Sequence, residues 1–222
     1  MKNILKVASM ALVLSLTLFG ITNKASAAKL TLYCSVEIDV CEMLEQAYEK
    51  ETGTKVAMTR ASSGETFAKI KAEASNPKGD VWFGGTGDPH LTAAQENLTE
   101  KYKSVHFNDL LPAAQNQAKN ADFKSVGIYV GALGFGYNKD LLAKKGLPAP
   151  KSWMDLTKPI YKGEIQVANP NSSGTAYTTL ATILQIFGED KGWDYMKKLH
   201  ANINTYTKSC LLYTSDAADE AI

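Results

Sequence analysis

The sequence predicts an α/β fold, with parallel strands, helices packed on the sheet faces and two successive units along the chain. Three observations predict it. Strand-like and helix-like runs alternate β-α-β-α-β-α over about sixty residues from Leu30 onward. Short runs rich in glycine, serine and threonine follow the strand ends. A further strand–helix pair, joined by Asn169-Pro-Asn-Ser-Ser-Gly-Thr-Ala-Tyr177, comes after an extended stretch broken by four glycines.

In chain order, residues 1–27 read as a secretory signal. Lys2 and Lys6 form its basic start, residues 7–21 are apolar, and Ala25-Ser-Ala27 is a small-x-small cleavage site. The apolar run is short for a span of about 20 residues. No cysteine adjoins the cleavage site, so a lipid anchor is not indicated. The expectation is a soluble exported protein, most simply periplasmic, cut after about Ala27.

The first α/β unit is expected over 28–130. Residues 30–33 alternate as a strand, and Val40, Leu44, Ala47 and Tyr48 recur at helical spacing until Gly53. Residues 54–58 form a second strand. Ser62-Ser-Gly-Glu65 has the pattern of a capping box and opens a helix with Phe67, Ile70 and Ala74 on one side. Residues 80–83 form a third strand ending in Gly84-Gly-Thr-Gly87, and Asp88-Pro89 reads as the N-cap and first residue of the next helix. Residues 98–122 are polar and carry no strong pattern. Residues 126–137 are rich in β-formers and predict an extended segment, bent near Gly131, that leads into a second unit over 131–209. There, 138–145 and 153–156 predict short helices, 164–168 a strand, 178–187 an apolar helix and 193–199 a last helix.

Right-handed crossovers put the ends of the first three strands on one edge. Ser35, Ser63, Gly64, Gly85 and Thr86 therefore gather where open α/β sheets bind ligands. The opposing candidates are Ser172, Ser173, Gly174 and Thr175. Ser172 or Ser173 caps the helix, and Gly174 lets backbone approach a ligand closely. A helix start exposes N–H groups and a partial positive charge that favour anions. A self-sufficient start often carries Glu or Gln three residues past the cap, yet Thr175 and Ala176 stand there.

Charge and motifs exclude several classes. The chain has 24 basic and 23 acidic residues, and without Lys2, Lys6 and Lys24 the balance is 21 to 23, or −2. With no basic surplus or run, nucleic acid is not an expected partner. Gly84-Gly-Thr-Gly87 lacks the Gly-Lys-Ser/Thr ending of a P-loop and does not complete Gly-x-Gly-x-x-Gly, so no nucleotide cofactor is expected. It reads as a ligand loop or a tight turn. His90, His106 and His200 are scattered and make no zinc pattern. A secreted serine hydrolase would need Ser172 or Ser173 beside a His base, and no Gly-x-Ser-x-Gly elbow is present. Cys34 and Cys41 read either as a disulfide or as two buried thiols. Residues 210–222, with Cys210, resemble translated adapter sequence more than evolved protein.

Taken together, Leu-Tyr-Cys-Ser, Ser-Ser-Gly-Glu-Thr-Phe, Gly-Asp-Val-Trp-Phe-Gly-Gly-Thr-Gly-Asp-Pro-His, Gly-Ala-Leu-Gly-Phe-Gly-Tyr-Asn and Pro-Asn-Ser-Ser-Gly-Thr-Ala resemble the solute-binding proteins of ABC importers. The nearest branch holds ferric-ion, hexose-phosphate and aminoethylphosphonate binders. The resemblance covers essentially 28–209. It implies a two-lobe periplasmic binding protein fold of type II, with the second lobe incomplete in this chain. It also implies no enzymatic activity, a monomer, a small anionic solute, and an inner-membrane ABC permease as partner. Ser173, Gly174 and Thr175 would bind the anion. In the ferric branch this segment holds an anion beside the metal, with His and Glu from the first lobe and paired Tyr from the second. The matching first-lobe positions here are Glu37 and Gly85, so a sugar phosphate or phosphonate-like solute is expected ahead of ferric iron.

Overall fold

The computed structural model describes residues 29–209. The expected signal, its cleavage site and the 210–222 tail lie outside the described residues.

The first sheet has three parallel strands in the order β2-β1-β3: β1 is Lys29–Cys34, β2 is Lys55–Arg60 and β3 is Val81–Phe83. Helix α1 (Ile38–Thr52) connects β1 to β2, and α2 (Ser63–Ala72) connects β2 to β3. Gly53 ends α1 at φ 70°, a left-handed conformation that glycine adopts without steric cost. Beyond the ladder, Ser35 N donates to Phe83 O at 2.9 Å and Ala61 N to Cys34 O at 3.0 Å. The three strand ends are thus held level, and all three following loops leave one edge.

Helix α3 (Gly87–Gln95) follows β3, with Thr86 as its N-cap. The expected cap, Asp88, lies inside the first turn instead. The glycine at 87 accepts helical geometry, so the helix begins two residues before Pro89. The weakly patterned stretch at 98–122 holds a 3₁₀ turn, Phe107–Asp109, and a helix α4, Pro112–Asn120. Pro112 sits at the start of α4, where a missing N–H costs nothing. Residues 126–137 belong to no strand. Their β-formers have no neighbouring strand to pair with, and β-propensity acts chiefly through such neighbours.

The second sheet pairs β4 (Ile165–Ala168) with β5 (Ile203–Thr207) in parallel. Helix α5 (Lys139–Lys145) precedes it, capped by Asn138 Oδ1, which accepts from Asp140 N and Leu141 N at 3.0 Å each. Helices α6 (Gly174–Phe187) and α7 (Glu189–Asn202) connect the two strands. Helix α7 is longer at both ends than the pattern at 193–199 predicts. Leu142, Leu156, Tyr161, Ile165, Ile183, Tyr195 and Leu199 form the core here. Its polar tips are satisfied: Tyr161 Oη donates to Pro148 O at 2.6 Å and Tyr195 Oη to Trp153 O at 2.8 Å. Asn202 Nδ2 donates to Leu156 O and Lys158 O, both at 2.8 Å. A buried amide that fills both donors fixes the 3₁₀ segment Trp153–Thr157 to the end of α7.

That segment also yields a pH prediction. The Asp155 carboxylate accepts from Lys158 Nζ at 2.6 Å, Lys151 N at 2.8 Å and Ser152 N at 3.1 Å. The Lys158 hydrogen bond, then the backbone bond from Lys151, holds its pKa down from 3.8 to about 2. Because the folded pKa is the lower one, Asp155 stabilises the fold fully above its unfolded value and loses that contribution as pH falls toward 2. In urea melts, the stability gap between wild type and Asp155→Asn is expected to be constant near neutrality and to close between about pH 4 and 2. A gap independent of pH across that range would refute the linkage.

Candidate functional site

The ends of β1, β2 and β3 open onto a cleft of about 660 Å³, within the size range of small-molecule sites. Its walls include Ser35, Ser63, Gly85 and Thr86 from the first sheet's loops, and Ser173, Gly174 and Thr175 from the start of α6. Seven of the nine residues singled out in the sequence therefore meet on one cleft. Gly64 and Ser172 do not line it. They bond to each other instead: Gly64 N donates to Ser172 O at 3.0 Å, and Ser62 Oγ lies 2.6 Å from the same oxygen. The Ser172 hydroxyl donates to Lys208 O at 2.7 Å.

Three helices begin at this place. Helix α2 starts at Ser63, α3 at Gly87 and α6 at Gly174. The first is largely used up locally, since Glu65 accepts from Ser62 N at 3.2 Å and the Ser172 carbonyl takes Gly64 N. The last has no acid in its first turn. Ser173 is its cap, with Oγ accepting from Ala176 N at 3.3 Å.

The backbone of the loops touches closely here. A Cβ on Gly174 would stand 2.1 Å from Thr86 Oγ1 and 3.0 Å from Ser63 Oγ, and one on Gly85 would stand 2.1 Å from Ser63 Oγ. Ser63 Oγ accepts from Thr86 N at 3.3 Å. The Thr86 hydroxyl is buried with no hydrogen-bond partner. The Thr99 hydroxyl, which does not line the cleft, is buried and unpartnered in the same way.

Charge on the cleft is sparse. Arg60 is the one lysine or arginine among its described lining residues, and Glu37 and Asp88 are the carboxylates. Arg60 Nε donates to Val36 O at 3.0 Å, which fixes the stem of the guanidinium against the β1–α1 loop. Tyr129 reaches in from the segment 126–137, accepting from Gly85 N at 2.7 Å and donating to Gly85 O at 2.8 Å. Burial raises the Tyr129 phenol above its ordinary pKa. Sequence reading missed both residues as site members. Arg60 had a usable signal, since it ends a strand at the ligand-binding edge. Tyr129 had none, because its segment has no regular structure to aim it.

A family model described as bacterial extracellular solute-binding protein matches residues 80–222, more than half of the chain. The chain belongs to this solute-binding family. An uncharacterized protein of Haemophilus influenzae is 42% identical over 96% of the chain and 62% of its own length. The periplasmic binding protein AfuA of Actinobacillus pleuropneumoniae, solved with fructose-6-phosphate bound, is 46% identical with a TM-score of 0.80. That match covers 83% of this chain and 58% of AfuA. The periplasmic binding protein P5PA is 41% identical with a TM-score of 0.83, covering 87% of this chain and 62% of its own. The chain thus spans about three fifths of the length of these relatives. The fold is the two-lobe fold of periplasmic binding proteins.

As a solute-binding lobe pair, the cleft has a donor set of hydroxyls and backbone N–H groups. Among the described residues no three of His, Cys, Asp and Glu come together as a metal site. Gly85, which the resemblance matches to a ligand position of the ferric branch, brings backbone only. None of the three histidines hydrogen-bonds Ser172 or Ser173. His90 Nε2 contacts Gly84 O, His106 Nδ1 contacts Asp109 and His200 Nδ1 contacts Tyr206 Oη.

Proposed function

We propose that the protein captures a phosphorylated small solute, of the hexose-phosphate or phosphonate class, in this cleft and delivers it to an ABC importer. The observation that carries the reading is the convergence of the starts of α2, α3 and α6 on one cleft, the last with no acid in its first turn. A phosphate group there sits in the positive field of the uncompensated α6 terminus. Arg60 adds the single full positive charge on the wall. Neutral donors suit a carrier, because they bind an anion strongly when the cleft excludes water and release it when the lobes part. The fructose-6-phosphate bound to AfuA supports the same class of solute. The reading includes export, action in the periplasm, and an inner-membrane permease as partner.

Calorimetry with fructose 6-phosphate and with fructose tests it. Saturable binding of the phosphate ester, with no binding of the free sugar, is expected. Ser173→Ala removes the α6 cap, and is expected to weaken fructose 6-phosphate binding by about tenfold, the worth of one hydrogen bond to a charged group. Equal binding of both sugars, or affinity unchanged in Ser173→Ala, would sink the anion site.

A further inference from the structure

The proposed cleft does not use His90. Its imidazole is mostly buried, stacked on Trp82 with ring centroids 3.7 Å apart and planes 22° from parallel. Burial pushes its pKa below the ordinary histidine value, opposed by the bond to Gly84. His90 Nε2 lies 2.8 Å from Gly84 O. A carbonyl has no proton to give, so Nε2 carries the hydrogen and donates. Trp82 Nε1 donates in turn to Ser35 Oγ at 3.0 Å, and Ser35 lines the cleft.

The Gly84 carbonyl and the Gly85 N–H belong to one planar trans peptide, so they point in opposite directions. With the carbonyl drawn to His90, the N–H is turned the other way, to the Tyr129 hydroxyl at 2.7 Å on the cleft wall. Both flanking residues are glycines at positive φ, +79° and +90°. No Cβ therefore hinders rotation of this peptide. A flip would replace that N–H by a carbonyl oxygen and break one of the two hydrogen bonds that seat the Tyr129 hydroxyl on the cleft wall.

We propose that His90 is a positioning residue: braced by Trp82, it locks the Gly84–Gly85 peptide with its N–H on the Tyr129 hydroxyl and so holds that phenol in place on the cleft wall. The ligand half of this inference rests on the function proposed above; the peptide orientation does not. His90→Phe keeps a ring on Trp82 and removes the donor, while His90→Gln keeps a side-chain N–H. In the ligand-free, isotope-labelled protein, the His90 ring is expected in the Nε2-protonated tautomer by its nitrogen shifts. The Gly85 amide resonance is expected to move in His90→Phe and to return toward the wild-type position in His90→Gln. By calorimetry, His90→Phe is expected to bind fructose 6-phosphate about tenfold more weakly, and His90→Gln to recover most of the loss. An Nδ1-protonated ring in the wild type overturns the lock even if His90→Phe does not fold. So does a Gly85 amide unmoved in His90→Phe, or His90→Gln as impaired as His90→Phe. Should the wild type fail to bind fructose 6-phosphate, the proposed function falls, and the tautomer and the amide shift still decide the lock.

Discussion

Gly64→Val is expected to lower the melting temperature by roughly 5–15 °C, corresponding to about 2–4 kcal/mol of overpacking and lost hydrogen bonding. The cause is space, since Gly64 does not have a positive φ. A Cβ there would stand 2.6 Å from Ser172 O, 2.7 Å from Asn171 O and 2.9 Å from Ser172 C. All three are backbone atoms, so no side chain can swing aside, and the β4–α6 loop itself must retreat. Retreat breaks the Gly64 N–H bond to Ser172 O and the approach of Ser62 Oγ to the same oxygen. These bonds join the two lobes beside the cleft. The substitution should therefore weaken fructose 6-phosphate binding as well, because the start of α6 moves away from Thr86 and Ser63. Gly134 is the control. Its Cβ would meet nothing within 4 Å, so Gly134→Ala is expected to stay within about 0.5 kcal/mol of wild type. Thermal melts of the two variants give the comparison. A Gly64→Val protein that melts like wild type would mean the two lobes do not touch through this backbone.

Gly64 also shows what the sequence could and could not say. Gly64 reads as a ligand-binding residue, yet its N–H bonds to Ser172 O and it does not line the cleft. Nothing in the sequence says whether the approaching group is a ligand or another loop, since the partner lies 108 residues away at Ser172. The first lobe was legible because its signals are local: alternation in β1, helical spacing in α1, a glycine stop at Gly53, and Ser62 with Glu65 at the start of α2. The same holds for the α6 cap at Ser173 and the missing acid in its first turn. Helix α4 was not legible, because Ala, Gln, Asn and Lys in Pro112–Asn120 give little apolar contrast. Residues 126–137 read as an extended segment broken by glycines, and they belong to no strand. Their Val, Ile and Tyr content favours a strand, but a strand needs a partner, and pairing is set by tertiary structure. The roles of Arg60 and Tyr129 follow from where distant loops place them, which composition does not encode.

Replacing Cys34 and Cys41 together by alanine is expected to cost about 2–3 kcal/mol, the loop-entropy value for a bridge this short, and roughly 5–10 °C in melting temperature. The two residues are seven apart in sequence, joined by a disulfide with Cα atoms 6.0 Å apart, and neither side chain is exposed. They link the end of β1 to the first turn of α1. They also fill a small core with Leu32, Leu30, Val36, Val56, Met58 and Phe83, so removing two sulfurs leaves a gap that few neighbours can close. The bridged loop carries Ser35, Val36 and Glu37, all on the cleft wall. Binding should nevertheless survive, because the loop has other anchors. Ser35 N donates to Phe83 O, Ser35 Oγ accepts from Trp82 Nε1 and lies 3.1 Å from Thr66 Oγ1, and Arg60 Nε holds Val36 O. Fructose 6-phosphate affinity in the double variant, measured well below its melting temperature, is therefore expected to change by less than about threefold, under 1 kcal/mol. A large drop in affinity with an unchanged melt would reverse this assignment, making the disulfide the element that shapes the cleft rather than one that stabilises the lobe. The hydrogen bonds around Ser35 and Val36 decide between the two, since they fix the loop's position from the sheet side whether or not the sulfurs are joined.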